Sequence, residues 1–178
     1  MNTLLRPLNT LVTGLFALLI SACGSDDGMA ENCSQSAIGL TIGGRPQQLT
    51  LVSSNMIRIT NIAGSYKLLS VEAIADSVKV IANITTGHYR TYSELQSDSI
   101  PVGVYTYSRT GTDSSGRILV GISAGSSYQF AITDTASINI TTVDPVNRTI
   151  TGSYYVSTSS PAFTASGYFS KVCFQSLR

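Results

Sequence analysis

From Ile38 onward, apolar and polar residues alternate in short runs. Ile38-Gly39-Leu40-Thr41-Ile42 opens the pattern, Gly43-Gly44-Arg45-Pro46 interrupts it as a turn, and Leu49 to Val52 resumes it. The same period of two returns in Met56 to Thr60, in Leu68 to Ala73 and in Val78 to Ile84, with turn chemistry at Asn61 to Ser65 and at Asp76-Ser77 between them. Alternation of this kind belongs to strands with one buried face. Further runs lie at Val104 to Tyr107, Ile118 to Ile122, Tyr128 to Ile132 and Ser137 to Thr141. The Asp144-Pro145-Val146-Asn147 turn makes Thr149 to Val156 the second arm of a hairpin, and Ala162 to Phe174 closes the chain as another alternating strand. No stretch of helical length keeps a 3.6-residue period, although Leu68 to Ala75 is apolar enough to suit either state. The pattern predicts an all-β fold, an antiparallel β-sandwich or flattened barrel of about nine or ten strands, over residues 36–178. Thr85 to Ser99 is the longest stretch without a strand pattern and reads as a long loop, the kind of segment that often carries function.

The N-terminus follows a different rule. Met1 to Pro7 carries the amine terminus and Arg6, and Leu8 to Ile20 is an uncharged apolar run. That run is short against the roughly 20 residues of a transmembrane helix, so it reads as the core of a signal peptide. Its end, Ile20-Ser21-Ala22-Cys23, resembles the lipobox of bacterial lipoproteins. The resemblance implies a signal peptide over residues 1–22, acylation of Cys23 with palmitate-type chains, and a lipidated tether over 23–35. Two or three acyl chains anchor a protein stably where one does not. Gly24 after the cysteine resembles lipoproteins sorted to the outer membrane, and Ser25-Asp26-Asp27 resembles the acidic export signal of some cell-surface lipoproteins. The alternative is an ordinary signal peptide cut after Ala22, with Cys23 a bystander.

Composition agrees with an exported β protein. Charged residues are 12% of the chain, and nine tyrosines stand against five phenylalanines and no tryptophan. Without the leader, Arg6 drops out and the basic side chains fall from eleven to ten, matching the ten acidic ones. No charge excess points to nucleic acid. With Cys23 assigned to lipid, Cys33 and Cys173 form an even pair, which an oxidising compartment turns into a disulfide rather than a metal site.

The last third of the chain carries a family resemblance. Ser137-Ile138-Asn139-Ile140-Thr141, then Ile150-Thr151-Gly152-Ser153-Tyr154-Tyr155-Val156, then Phe163-Thr164-Ala165-Ser166-Gly167-Tyr168-Phe169 resemble a group of small β-rich Gram-negative lipoproteins of unknown function, with their "isGtFsf" and "itnGxF" segments. Pro101-Val102-Gly103-Val104-Tyr105 is similar to their "pGtY" segment, and Ile38 to Arg45 to their opening strand and turn. Gly43-Gly44-Arg45, and Tyr154 in place of Phe, depart from the pattern. The resemblance implies a location and a fold but no chemistry. In its own physical terms, Gly152 and Gly167 inside strands signal bulges or close backbone approach, with Tyr154 and Phe169 packed on the core face.

Candidate sites are sparse. His88, the single histidine, sits in Gly87-His88-Tyr89-Arg90-Thr91-Tyr92-Ser93-Glu94. Gly121-Ile122-Ser123-Ala124-Gly125 matches the nucleophile-elbow pattern literally, yet strand residues rather than a helix follow it, which favours a turn between strands. Asp113-Ser114-Ser115-Gly116 lacks the further acidic ligands of a calcium loop, and no cofactor or metal is expected. His88, Tyr89, Arg90 and Tyr92 are the candidate ligand-binding set, because tyrosine supplies rigid contact area with a polar tip. Tyr105 and Tyr107 share parity in one strand and are expected to face inward. Asp76-Ser77-Val78, Asp98-Ser99-Ile100 and Asp134-Thr135-Ala136 resemble bacterial O-glycosylation acceptors.

The sequence therefore predicts a lipid-anchored, non-enzymatic envelope component of the outer membrane, structural or ligand-binding, on its periplasmic or extracellular face. Its partners would be the membrane, through the anchor, and a glycan or protein at the cell surface. The alternatives are a glycan- or peptide-binding accessory module using Thr85 to Ser99, and a hydrolase using His88.

Overall fold

The computed structural model describes residues 31–61, 64–87 and 89–177. Cys23, the predicted signal peptide over residues 1–22 and His88 lie outside the described residues. A 3-10 turn, Glu31–Gln35, leads into β1 (Ala37–Ile42), β2 (Arg45–Asn61), β3 (Gly64–Ala75) and β4 (Val78–Gly87). A short helix, α1 (Tyr92–Gln96), precedes β5 (Gly103–Ser108), β6 (Gly116–Ala124) and β7 (Ser127–Phe130). The chain ends with β8 (Ile132–Asp144), β9 (Thr149–Ser160), β10 (Ala162–Cys173) and β11 (Gln175–Leu177). The predicted all-β fold is the observed one.

Ten strands form one antiparallel path in the order β5-β8-β9-β10-β1-β2-β3-β4-β6-β7, and β11 adds to β2 in parallel. The two halves share β2, whose 17 residues bend at a register shift between Leu51 and Ser53. A bulge increases local twist and lets one strand serve two sheet directions. This is why Leu49 to Val52 and Met56 to Thr60, two runs in the sequence, are a single strand. The path curls until β5 and β8 lie against β6. There Ala131 N–H donates to Val120 O over 2.9 Å, Ser108 N–H to Asp113 O over 3.0 Å, and the Thr133 hydroxyl to Ile118 O over 2.5 Å. A few such bonds, and no continuous ladder, join the two ends of the path. The result is a flattened, unclosed barrel around one hydrophobic core.

The period of two sorts residues as expected. In β3, Leu69, Val71 and Ala73 face the core, and so do Val78, Val80, Ala82 and Ile84 in β4 and Ala136, Ile138 and Ile140 in β8. β4 runs to Gly87, and α1 occupies the middle of the predicted loop, so the irregular part of that segment is shorter than its sequence suggests. Helix α1 begins at a capping box, in which the Thr91 hydroxyl accepts from Glu94 N–H and the Glu94 carboxylate accepts from Thr91 N–H. The β8–β9 hairpin turns where the Asp144 carboxylate accepts from the Val146 and Asn147 backbones, which with the Asn147 side chain holds its pKa below the usual range.

Gly167 pairs with Tyr154 and Gly152 with Phe169 on the neighbouring strand. Each aromatic ring lies across the glycine opposite it, and the two rings stack at 6.2 Å between centroids. Tyr154 also donates its hydroxyl to Gly39 O over 3.0 Å, and burial pushes its pKa well up. A Cβ at position 167 would lie 2.2 Å from the Gly39 carbonyl oxygen, a backbone atom that cannot swing away. Gly167→Ala is therefore expected to destabilise the domain by about 1–3 kcal/mol, read as a lower urea midpoint with an unchanged slope.

Candidate functional site

One end of the barrel is closed by polar chemistry. Arg58 in β2 and Lys67 in β3 are direct register partners, and their parity puts both on the core face with Met56 and Leu69. Lys67 is 1% exposed. Two buried cations demand partners, since an unpaired charge in a poorly solvated site is very costly. The segment from Tyr89 to Val102 supplies them by folding over that end, with Leu95 and Ile100 buried beneath it. The Lys67 ammonium donates to Glu94 O, Ser97 O and Ser99 O, each over 2.8 Å, and lies 4.4 Å from the centre of the Tyr89 ring. All three of its N–H bonds are spent on backbone carbonyls, so it is engaged as a pin and is not poised as a nucleophile or base. Desolvation, then the Arg58 charge beside it, lowers its pKa from the ordinary lysine value.

The Arg58 guanidinium donates to Leu95 O over 2.8 Å, to Gln96 O over 3.0 Å and to the Ser176 hydroxyl over 2.7 Å, and pairs with the Asp98 carboxylate. Asp98 also accepts from Arg148 Nε over 2.9 Å and from the Ser176 hydroxyl over 2.6 Å. Burial alone would raise the Asp98 pKa, but the bonds from Ser176 and Arg58 and the Arg148 charge outweigh it and hold the carboxyl below its usual range. The cluster thus joins β2, β3, the 89–102 segment, the β8–β9 turn and β11 at one node. Asp98, read from the sequence as part of a glycosylation-like motif, is wholly taken up in it.

The predicted ligand-binding set is not assembled as one surface among the described residues. Tyr89 is half-buried over Lys67, and its hydroxyl sits 2.6 Å from the Thr86 hydroxyl. Tyr92 is 78% exposed on the first turn of α1, and Arg90 is exposed beside the cap. Tyr105 is buried with its hydroxyl donating to Pro101 O over 2.5 Å, and Tyr107 packs against the core beneath Arg117, so both face inward as expected. Gly121 to Gly125 is the end of β6 and its turn into β7, with Ser123 N–H bonded to Ser77 O. That is a turn between strands and not an elbow before a helix. Among the described residues no group of three or more His, Cys, Asp or Glu gathers as a metal site.

Cys33 and Cys173 are joined as a disulfide with 5.5 Å between their Cα atoms. The bridge fixes the 3-10 turn, inside the stretch read as tether, to the end of β10. Ser36 adds to it by donating to Lys171 O over 2.8 Å. Grooves among the described residues open to solvent. One, of about 450 Å³, lies beside this bridge between Gln35, Asp144 and Lys171. Another, of about 340 Å³, lies between Thr41, Gly43, Gly44, Tyr155 and Ser166. No protein-family model matches the chain, and neither does any curated protein or solved structure.

Proposed function

We propose that this chain is a lipid-anchored envelope protein of the outer membrane whose β domain works by presenting a surface rather than by catalysis. The observation that carries the reading is the run Leu18 to Cys23, an apolar stretch ending in two small residues and a cysteine, followed at once by Gly24 and an acidic tether. The likeness of the last third to small β-rich lipoproteins supports the same reading. So does the chemistry of the closed end of the barrel, where Lys67, Arg58 and Asp98 are satisfied by one another and by backbone carbonyls. Groups so engaged stabilise a scaffold.

The test is metabolic labelling. In a Gram-negative host the full chain is expected to incorporate radioactive palmitate, and Cys23→Ser and globomycin are each expected to abolish that incorporation. Labelling that persists in Cys23→Ser would overturn the anchor.

A further inference from the structure

The outer surface of the barrel is divided by charge. On the half built from β3, β4 and β6, outward positions include Glu72, Lys79 and Arg117, and Glu72 pairs with Lys79 at 2.6 Å. The other half, formed by β8, β9 and β10, has a different composition. Every alternate position from Thr135 to Thr141, from Thr151 to Ser159 and from Thr164 to Ser170 is Ser, Thr, Asn or Tyr, and these positions point outward. The row continues without charge onto β1 through Gly39 and Thr41 and onto β2 through Gln48. Charge is confined to its two ends, where Ser159 donates to the Asp134 carboxylate that Arg109 pairs and where Lys171 stands beside Thr151. Between them lies a broad sheet face of hydroxyls and amides with two aromatic rings, Tyr155 and Tyr168, 45% and 43% exposed.

Tyr168 is held flat. It pairs directly with Gly39 on β1, and a Cβ at position 39 would lie 2.3 Å from the ring, so the ring covers the glycine backbone and presents its other face to solvent. Gln48 Nε2 donates to the Tyr168 hydroxyl over 2.9 Å and fixes it from the next strand. Tyr155 stands opposite Ser166 and Tyr168 opposite Ser153, which sets the tyrosines on a diagonal about 7–8 Å apart at Cα. The groove of about 340 Å³ runs from Tyr155 toward the Gly43-Gly44 turn. Tyr155 therefore lines that groove, and Tyr168 lies beside it on the same outward face of the sheet.

We infer that this face is a binding site for a neutral polysaccharide. A pyranose ring has an apolar C–H face and a rim of hydroxyls, and carries no charge. It thus matches a flat aromatic ring surrounded by hydroxyl and amide groups, where an anionic chain would require cations and an apolar protein surface would be left against unpaired hydroxyls. Rings fixed before binding lose little entropy when a ligand stacks on them. The inference deepens the proposed surface role, but it does not depend on acylation of Cys23.

The test uses the full chain, solubilised in neutral detergent, in native affinity gels containing dextran or galactomannan and in co-sedimentation with cellulose or chitin, with alginate as the anionic comparison. Retention by at least one neutral polysaccharide is expected, with little loss between low and 0.5 M salt. Ser153→Arg sets a long charged side chain beside the Tyr168 ring at an exposed position and is expected to weaken binding at least tenfold at an unchanged urea midpoint. Tyr155→Ala should weaken it similarly, and Tyr168→Phe should retain most of it. Absence of retention by all four neutral polysaccharides would overturn the proposal, as would retention that Ser153→Arg and Tyr155→Ala leave intact. Retention on alginate alone would also overturn it, and so would concentration-dependent dimerisation abolished by Ser153→Arg without any polysaccharide binding. Loss of palmitate labelling with polysaccharide binding intact would remove the anchor and leave this site standing.

Discussion

Arg58→Ala is expected to cost the domain about 3–5 kcal/mol, the range for deleting one partner of a buried ion pair. The loss exceeds that of one contact because the guanidinium serves Leu95 O, Gln96 O, Ser176 and Asp98 together. Its removal leaves the Asp98 carboxylate with Arg148 as its one ion-pair partner beside the Ser176 hydroxyl, and leaves two carbonyls of α1 without their donor. Hydrogen exchange should show the segment from Tyr89 to Val102 opening first, before the strands, because side chains such as Lys67 and Arg58 hold it where a continuous backbone ladder holds the strands. Protection of that segment equal to wild type would refute the role assigned to the node. Arg58→Lys restores the charge but not the fork of donors, and should recover only part of the loss. Acid separates the contribution of Asp98. Its folded pKa lies below the unfolded one, so its contribution is complete above about pH 4 and fades as the pH falls through the folded value. In Asp98→Asn that portion of the acid slope should disappear.

Removing the disulfide is the second large effect expected. The bridge closes a span of 140 residues, for which chain entropy alone gives about 5 kcal/mol, and removal of native bridges from small secreted domains falls at about 2–5 kcal/mol. The double variant Cys33→Ser, Cys173→Ser should melt on the order of 10 °C lower than the oxidised protein. Reductant should lower the wild type to the same point and leave the variant unmoved. Equal melting temperatures with and without reductant in the wild type would show that the bridge contributes nothing.

Much of the barrel was legible because alternation is a local signal. Leu69, Val71 and Ala73 declare their face within a few residues, and so do Ile138 and Ile140. The core-facing side of Tyr154 and Phe169 was legible for the same reason, since each lies two residues after a strand glycine. The laying of each ring over the glycine of the other strand was not, because it depends on the β9–β10 register. The node was not. Continuing the parity of Leu69 back by two residues places Lys67 inward, and Met56 does the same for Arg58, but parity at a strand end does not say what will cover it. The partners of Lys67 are backbone carbonyls 27 to 32 residues away, which carry no side-chain signature. The neutral outer face was hidden differently. Its hydroxyl-rich strands are plain in the sequence, but only the order β8-β9-β10-β1-β2 sets Tyr168 beside Gly39 and Gln48.

The sulfur bridge also decides how the domain would bear tension. A pull on the residues ahead of the 3-10 turn enters at Cys33 and crosses to Cys173, at the end of β10. Strand β10 is laddered on both sides, to β1 and to β9. The load is then shared in shear across two ladders instead of unzipping β1 one hydrogen bond at a time. A domain held at a membrane by its N-terminal segment would in this way resist drag on whatever it grips.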